Sequence, residues 1–400
     1  MIATTALRPS PQLARPFCAL AFLFFAGALT HLFDAATDWF VPLAALLQTI
    51  ALCLLLAPQR RPRALALLRR DLPLLLVLAL ATLSALWSLD PRLTLRRAMA
   101  LGGTTAVGVL VYLELPRAEL LRFFAQALAL FTLASVALAL LASDFGTQPD
   151  QHWRGLLGHK NQAAWHAVLA LLCWLGARKT PSMRAHTLPV LALTLLLLWQ
   201  TSSATGLLAL LFGLAVLLFA HAFARHPLLR PAFLALALMA LVTLLSDPQD
   251  LLQTALSLLD RDATLTGRTA LWSALWPLIE ANFWLGNGYM AFWDHAPDYF
   301  GAASWMARFV HAHNTYVQLL LDLGAVGLAS LLLLLLTTAW GLLQQAGRGD
   351  ADAITLLALL LTLAFIGLAG DIFLRPNTGH WIMLVAIALY ARDPPPKAPA

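Results

Sequence analysis

The sequence predicts an all-α, polytopic integral membrane protein with about twelve transmembrane helices. Hydrophobic residues make up 60% of the 400 and charged residues only 12%, so the chain cannot form a water-soluble shell. Apolar runs long enough to cross a hydrocarbon core of about 30 Å recur from Phe17 to Tyr390. Only one of the segments that connect these runs is long. Residues 1–400 are therefore predicted to form a single polytopic membrane domain, in which an outer loop at 247–324 contains short amphipathic helices.

The apolar segments are predicted to span the membrane in turn. The first is predicted to be retained as a helix, although it resembles a cleavable signal peptide. The approximate spans are 17–33, 39–57, 72–87, 98–113, 119–142, 162–177, 187–201, 204–222, 231–246, 325–343, 353–370 and 378–391.

The formal net charge of +6 indicates orientation here, and no nucleic-acid partner is expected, because most cations are arginines in short loops. With a cytoplasmic N-terminus, 17 of the 26 Lys and Arg residues lie inside, as the positive-inside rule requires. Both termini are then cytoplasmic. The remaining outer cations, which orientation does not explain, are Arg92, Arg96, Arg97, Arg154, Lys160, Arg261, Arg268, Arg308 and Arg375.

Several of these cations lie where a span begins. Arg96 and Arg97 precede the fourth span, where the helix dipole disfavours positive charge, so either Asp90 or a bound phosphate must stabilise them. A second motif, before the sixth span, contains the candidate ligands Arg154, His159, Lys160 and Asn161. A bound anion at that helix N-terminus and a simple capped loop explain this motif equally well. Together, such loops would suit an anionic, membrane-borne ligand.

The outer loop is longer than the ~15 residues above which loops are usually functional or disordered. Trp272, Trp276, Ile279 and Phe283 recur at helical spacing, which predicts a helix that lies along the membrane surface. Arg268 falls in the first turn of this helix, where a bound anion would offset the unfavourable dipole. Arg268 is therefore the preferred candidate for a phosphate ligand.

The loop closes with the segment His311-Ala312-His313-Asn314. A helix dipole lowers the pKa of a histidine at a helix start, so His313 is a candidate general base. Two close histidines also suggest a metal, but residues two apart on a helix diverge and no third ligand is evident. Because Asp260-Arg261-Asp262 is a weak cation-binding pattern, we expect neither metal nor cofactor. Asn314 and Arg375 are further candidates for binding the substrate.

Five segments, taken in order, are similar to motifs of the O-antigen ligase and polysaccharide polymerase superfamily of bacterial envelope proteins. They are WSLDPRLTLRRA, RGLLGHKNQ, TLTGRTALW, GNGYMAFW and HAHNTYVQLLLDLGAVG, within residues 80–330. The last is the most specific, with His-Asn, nine residues and then Gly-x-x-Gly. The resemblance implies an enzyme of the bacterial inner membrane that transfers a glycan from undecaprenyl diphosphate in the periplasm. It also implies that His313 is essential and that Arg268 engages the diphosphate.

The resemblance leaves the acceptor open. A ligase would transfer the glycan to lipid A-core, and a polymerase would extend a growing O-antigen or exopolysaccharide chain. A protein oligosaccharyltransferase would transfer the glycan to a protein. Our hypothesis is an inverting displacement in which His313 is the base and arginines replace a metal. A transporter or flippase for lipid-linked sugars is the alternative from another class. It would need polar residues on a path that reaches both membrane faces, and the motifs here lie on one side.

Overall fold

The structure, a computed structural model, describes residues 11–27, 39–226 and 266–393, with residues 231 and 235 in isolation. Within these residues the chain is helical apart from turns, loops and one isolated β-bridge between Thr147 and Trp153, which confirms the all-α class there. The described α-helices, in chain order, are α1 Pro11–Phe25, α2 Phe40–Leu56, α3 Arg61–Arg70, α4 Leu72–Leu83, α5 Pro91–Glu114, α6 Arg117–Leu141, α7 Ser143–Gly146, α8 Lys160–Ala177, α9 Pro181–Ala185, α10 Thr187–Thr201, α11 Ala204–Arg225, α12 Thr266–Ala281, α13 Ala296–Phe300, α14 Thr315–Gly347, α15 Ala351–Ile366 and α16 Gly379–Arg392.

The helices lie where the spans are predicted. Every predicted span overlaps one of these helices except 231–246, which lies outside the described residues apart from 231 and 235. In the described part of the chain, α6 and α14 are long and apolar enough to cross a membrane. The pair α2 and α3 would be a third if the bend of 101° between them belongs to one span. The remaining apolar helices are shorter, so the total of about twelve spans stays a prediction.

Side-chain caps determine where two of the outer segments become helical. Asp90 accepts a hydrogen bond from Leu93 N–H at 2.9 Å ahead of α5. Asn314 accepts from Tyr316 N–H at 2.9 Å ahead of α14. These bonds satisfy amide groups that lack a partner within the first helical turn. The loops that precede α5 and α14 are thereby held against the bundle.

The core surrounds α8, α15 and α16, which are buried along almost their whole length. Helices α5 and α14 pack against α16, and α6, α10 and α11 pack against α8. A Cβ at Gly176 of α8 would lie 2.4 Å from Thr355 Oγ1 of α15. Helices α8 and α15 therefore approach as closely as small residues allow, which is typical of helix pairs in membranes.

The predicted loop ends at 324, but the chain becomes helical earlier, at Thr315, and α14 is kinked at Gly324. Gly324 has φ 63° and ψ −164°, a conformation that is essentially restricted to glycine. A Cβ at this position would lie 2.4 Å from the backbone carbon of Trp284 and 2.5 Å from the backbone nitrogen of Leu285. The glycine therefore lets the segment around 284 and 285 lie directly against the kink.

Helix α12 covers the start of α14 with one apolar face. Its buried positions are four residues apart: Leu271, Leu275 and Ile279. These side chains pack with others from the loop and from α14, among them Phe292, Ala312 and Leu321. The predicted stripe is thus rotated, because Trp276 and Phe283 are 48% and 41% exposed. Both remain available to an interface, as expected for an amphipathic surface helix.

At the opposite end of the bundle, Arg117 joins α6, α14 and α16. Its guanidinium lies 3.4 Å from the centroid of the Tyr390 ring and 3.1 Å from Asp350 Oδ2, and it donates to Gln345 Oε1. Gln345 is 2% exposed and donates from Nε2 to the carbonyl oxygens of Tyr390 at 2.9 Å and Ala391 at 2.8 Å. This network fixes the predicted cytoplasmic ends of three helices.

Candidate active site

A cavity of about 310 Å³ lies at the predicted outer end of the bundle. The starts of α8, α12 and α14 border it, together with the segment between α15 and α16. Phe25, Leu157 and Trp165 contribute apolar walls. Its titratable lining residues are His159, His166, Arg268, His311, His313, Asp371, Arg375 and His380. Residues far apart in sequence therefore meet in one small chamber that has both polar and apolar walls.

Half of the predicted site residues line this cavity: Arg268, His313, His159, Asn161 and Arg375. They include both residues predicted to be catalytic. The long outer loop, the loop before α8 and the loop after α15 each contribute to this set. The cavity thus joins three of the outer motifs, and their roles in binding or catalysis stay predictions.

Two predicted cationic ligands are paired with carboxylates and do not line the cavity. Arg97 Nη1 lies 2.7 Å from Asp294 Oδ2, and Lys160 Nζ lies 2.8 Å from Asp150 Oδ2. The sequence suggests Asp90 as the protein partner of Arg97. In the structure Asp90 caps α5, and the partner of Arg97 is Asp294 in the outer loop. Long-range pairing of this kind has no local sequence pattern.

Three more predicted ligands also lie outside the cavity lining. Arg154 donates from Nε to the carbonyl oxygen of Phe145 at 3.0 Å. Asn314 is 3% exposed and its side chain caps α14. Arg96 is exposed on α5. The spacing places these residues near helix starts, but it does not determine which way each side chain points.

His313 has a backbone conformation that is unusual for a side chain with a Cβ. Its φ is 54°, so it lies in the left-handed region just before the cap of α14. Its N–H donates to Nδ1 of His311 at 3.1 Å, and the two rings have centroids 4.1 Å apart. Because His311 Nδ1 accepts this bond, the proton of the neutral His311 ring is assigned to Nε2.

Both histidines are neutral at neutral pH. Burial, followed by the positive charges of Arg268 and His159, lowers the pKa of His313 to about 4. Burial, followed by the charges of His313, Arg375 and Arg268, lowers the pKa of His311 to about 2. The sequence attributes a neutral His313 to a helix dipole, whereas the structure attributes it chiefly to burial. A neutral imidazole can accept a proton.

Arg268 lies in the first turn of α12, as predicted, and extends into the cavity. Nη1 donates to the carbonyl oxygen of Ala369 at 3.2 Å. Within the described residues no carboxylate forms an ion pair with it. Burial lowers the pKa of this guanidinium, so removal from water disfavours its charge. An anion in the cavity would offset that cost.

Asp371 also lines the cavity, and sequence reasoning does not select it as a site residue. Its side chain is 1% exposed, and Oδ2 lies 3.2 Å from Nη1 of Arg375. Neither carboxylate oxygen has a hydrogen-bond partner among the described residues. Burial raises the pKa of Asp371 to about 6, against the lowering effect of Arg375. Asp371 is recognisable in the sequence only as an isolated acidic residue that directly follows the predicted span 353–370 and precedes Arg375 by four residues.

The loop before α8 supplies a third histidine. His159 accepts at Nδ1 from Asn161 N–H at 3.2 Å, and Asn161 Oδ1 accepts from Ser203 Oγ at 2.9 Å. Burial and the charges of Lys160 and Arg268 lower the pKa of His159. The capped-loop interpretation and the ligand interpretation are thus compatible, because the cap itself is part of the cavity wall.

His166 and His380 form a part of the cavity that sequence reasoning missed. Their ring centroids are 4.9 Å apart, and both residues are buried. His166 Nδ1 lies 2.9 Å from the carbonyl oxygen of Gln162, while His380 Nε2 has no hydrogen-bond partner among the described residues. Both lie within predicted spans, and an ionisable residue in a span is itself an indication of function.

Metal ligands are not clustered in the part of the chain that the structure describes. No group of three His, Cys, Asp or Glu side chains there could hold an ion. The Asp260-Arg261-Asp262 pattern lies outside the described residues. The groups that bring positive charge to the cavity are Arg268 and Arg375.

Comparisons with known proteins agree with the sequence motifs. The model of a family described as O-Antigen ligase matches residues 189–332, which contain Arg268, His313 and Gly324. The Exopolysaccharide production protein ExoQ of Rhizobium meliloti (strain 1021) is 29% identical over 136 residues. That match covers 31% of this chain and 30% of the relative's length. The similarity is therefore regional and includes the segment with both predicted catalytic residues.

Proposed function

We propose that this chain belongs to the O-antigen ligase and polysaccharide polymerase superfamily and transfers a glycan from undecaprenyl diphosphate to an acceptor hydroxyl in the periplasm. The regional similarity to this family and to an exopolysaccharide production protein supports a membrane enzyme of polysaccharide synthesis. The lipid-linked donor, the acceptor, the inner-membrane location and the residue roles belong to the proposal.

One observation carries this proposal: a partly buried cation and a neutral base face the same cavity. Among the described residues Arg268 has a single carbonyl partner and no carboxylate, and its charge is disfavoured by burial. His313 lines the same chamber with a pKa of about 4. An anionic leaving group would stabilise Arg268, and an attacking hydroxyl would give its proton to His313. Transfer from a diphosphate brings both groups together.

The mechanism we propose is an inverting displacement without a metal ion. The acceptor oxygen forms a bond to the anomeric carbon while His313 takes the hydroxyl proton. The bond between that carbon and the diphosphate oxygen breaks, and its electron pair leaves with undecaprenyl diphosphate. Arg268 and Arg375 stabilise the developing negative charge, a contribution typically worth ~10²–10³ in rate for each contact. The histidine then returns its proton to solvent.

An apolar groove beside the cavity suits the lipid part of the donor. It has a volume of about 470 Å³ and lies between α10 and α11, with Leu195, Trp199 and Leu207 in its lining. Trp199 is 80% exposed, as expected for a side chain that meets lipid. Ser203 lines the groove and donates to Asn161, which lines the cavity. A polyprenyl chain in this groove would have its diphosphate near the cavity mouth.

The acceptor distinguishes two candidate activities within this proposal. The matched family is described as O-Antigen ligase, which favours transfer to lipid A-core. The matched relative is named for exopolysaccharide production, which favours extension of a growing polysaccharide. A flippase is the alternative from another class. It would need a polar path that reaches both membrane faces, whereas the polar residues of this cavity lie at one end of the bundle.

Transfer by purified protein tests the proposal. Donor, acceptor and enzyme would be incubated with a chelator, and His313→Ala and Arg268→Ala would be compared with wild type. We expect wild-type transfer to persist and both variants to lose at least ~10²-fold in kcat. Full activity in either variant would remove its assigned role. Loss in chelator with recovery in a divalent ion would overturn the metal-free mechanism.

The glycan profile of a deletion strain separates the two activities. Unligated, full-length chains that accumulate on the lipid carrier would identify a ligase. Single repeat units would identify a polymerase. A normal profile with donor confined to the cytoplasmic leaflet would favour the flippase.

A further inference from the structure

The backbone of Ala312, the residue between the two histidines, is held from both sides by side chains. Ala312 N–H donates to Oε1 of Gln318 at 2.8 Å, and the Ala312 carbonyl accepts from Nε1 of Trp272 at 2.8 Å. Ala312 is fully buried, so water cannot replace either contact. The residues immediately before and after it are His311 and His313, so these two bonds determine the backbone from which both imidazoles extend.

Gln318 is itself held in one orientation. Besides the bond from Ala312, Oε1 accepts from Nε1 of Trp293 at 2.9 Å, and Nε2 donates to Oδ1 of Asp322 at 3.0 Å. Two N–H donors face the amide oxygen and a carboxylate faces the amide nitrogen, so a flipped amide would lose these bonds. The side chain is 2% exposed. A displacement of Gln318 would therefore displace Ala312 and the histidines on either side of it.

The histidine segment needs such support. His313 has a φ of 54°, a region in which side chains with a Cβ are uncommon, and strained backbone of this kind persists only where its surroundings impose it. The cap of α14 does not depend on Gln318, because Asn314 Oδ1 accepts from Tyr316 and Val317 N–H by itself. The Gln318 bonds therefore act on the histidines rather than on the start of the helix.

We propose that Gln318, with Trp272, is a positioning residue that aims His313 and His311 into the cavity. This inference rests on the proposed function, and it assigns a role to a buried amide that does not touch the substrate. By holding the Ala312 peptide, the pair keeps His313 beside Arg268 and keeps His311 Nδ1 occupied by a backbone N–H. His311 then presents its Nε2–H to a ligand as a neutral donor.

The test compares three variants in the full-length protein. Gln318→Met removes the amide but keeps a side chain of similar length, and Trp272→Phe removes a single N–H with little change in shape. Gln345→Met is the matched control, since Gln345 lies on the same helix with the same 2% exposure and is equally bonded at the opposite end. Melting temperature, kcat, donor KM and the acid limb of the pH profile would be measured for each.

We expect Gln318→Met and Trp272→Phe to lower kcat by about 10²-fold, the typical cost of a small displacement at a reacting centre. Donor KM should change little, because neither residue contacts the donor. The acid limb should move from about 4 towards the ordinary histidine value, as His313 leaves its buried place beside Arg268 and His159. Gln345→Met should lower the melting temperature alone.

An unchanged kcat and acid limb in folded Gln318→Met and Trp272→Phe would overturn the inference, as would an equal shift in Gln345→Met. The wild-type arm tests the proposed function separately. Should wild type show no transfer, modification of His313 by diethyl pyrocarbonate, followed by mass spectrometry, still tests positioning. Faster modification in the two variants than in the control supports it, and equal rates contradict it.

Discussion

The pH dependence of transfer is a direct test of the environment of His313. Phe309 packs edge-on against His313, with ring centroids 5.3 Å apart, and burial is the largest cause of the lowered pKa. Phe309→Ala would admit water to the imidazole. We therefore expect the pKa of His313 to rise from about 4 towards 6.5. It should stop short of that value, because Arg268 and His159 remain nearby and His311 still contacts the ring.

The expected effect is largest in mild acid. Near pH 5 a base with a pKa of about 4 is ~90% neutral, and one with a pKa of 6.5 is ~3% neutral. Transfer requires the neutral base, so activity is lost as pH falls through the pKa of His313. Because that pKa is higher in the variant, its activity begins to fall at a higher pH than in wild type. The kcat/KM of Phe309→Ala should fall by up to ~30-fold relative to wild type near pH 5 and be unchanged near pH 8.

The assay is the initial rate of transfer at low donor concentration, because kcat/KM reports the pKa values of the free enzyme. Asp371, whose pKa burial raises to about 6, titrates in the same window, so the comparison is repeated in an Asp371→Asn background. Trp305→Ala is the matched control, since Trp305 packs against Phe309 with centroids 5.5 Å apart. A wild-type limb near 6.5 in both backgrounds, or an unmoved limb in Phe309→Ala, would refute the reasoning.

Three further predictions use charge and packing. Arg268→Gln should lower kcat by ~10²–10³-fold. Arg308→Gln, at an exposed site in the same outer loop, should keep the wild-type kcat. Equal losses in the two variants would contradict a specific role for Arg268. Gly324→Ala should destabilise the protein by about 2–6 kcal/mol in detergent unfolding assays, because the added Cβ strains the backbone and meets the backbone of residues 284 and 285. Gly102→Ala is the control: a Cβ there meets open space, so the change should be neutral or stabilising by up to ~1 kcal/mol. Arg117→Ala should lower the free energy of unfolding by about 3–5 kcal/mol, because Asp350 loses its ion-pair partner. The folded fraction should keep its kcat, and a selective loss of kcat would contradict a purely structural role.

Helix positions are largely predictable from the sequence, because they depend on local composition. The predicted spans 119–142 and 187–201 differ from α6 and α10 by no more than two residues at either end. The start of α14 is less predictable. Its first turns, from Thr315, precede a glycine kink that separates them from the apolar run, so hydropathy alone assigns them to the loop.

The candidate site is predictable only in part. Arg268 and His313 stand out because a cation in a first turn and a histidine beside a helix start are locally unusual. Lys160 stands out for the same reason, yet its charge is neutralised by Asp150 in the folded chain. Asp371 shows the converse, since an ordinary-looking loop aspartate becomes a buried carboxyl in the cavity. Charge pairing and burial depend on segments that are distant in sequence.

The sequence by itself determined the solvent and the class, and it predicts the side of the membrane that carries the polar motifs. Its apolar content requires a bilayer, its runs require helices, and its loop arginines predict which end carries the polar motifs, because these properties are sums over local residues. Only the tertiary structure decided which side chains meet. Ala312 donates a hydrogen bond to Gln318 and accepts one from Trp272, and His313 is neutral chiefly because the fold buries it. Desolvation and long-range hydrogen bonds arise only when separate helices pack together.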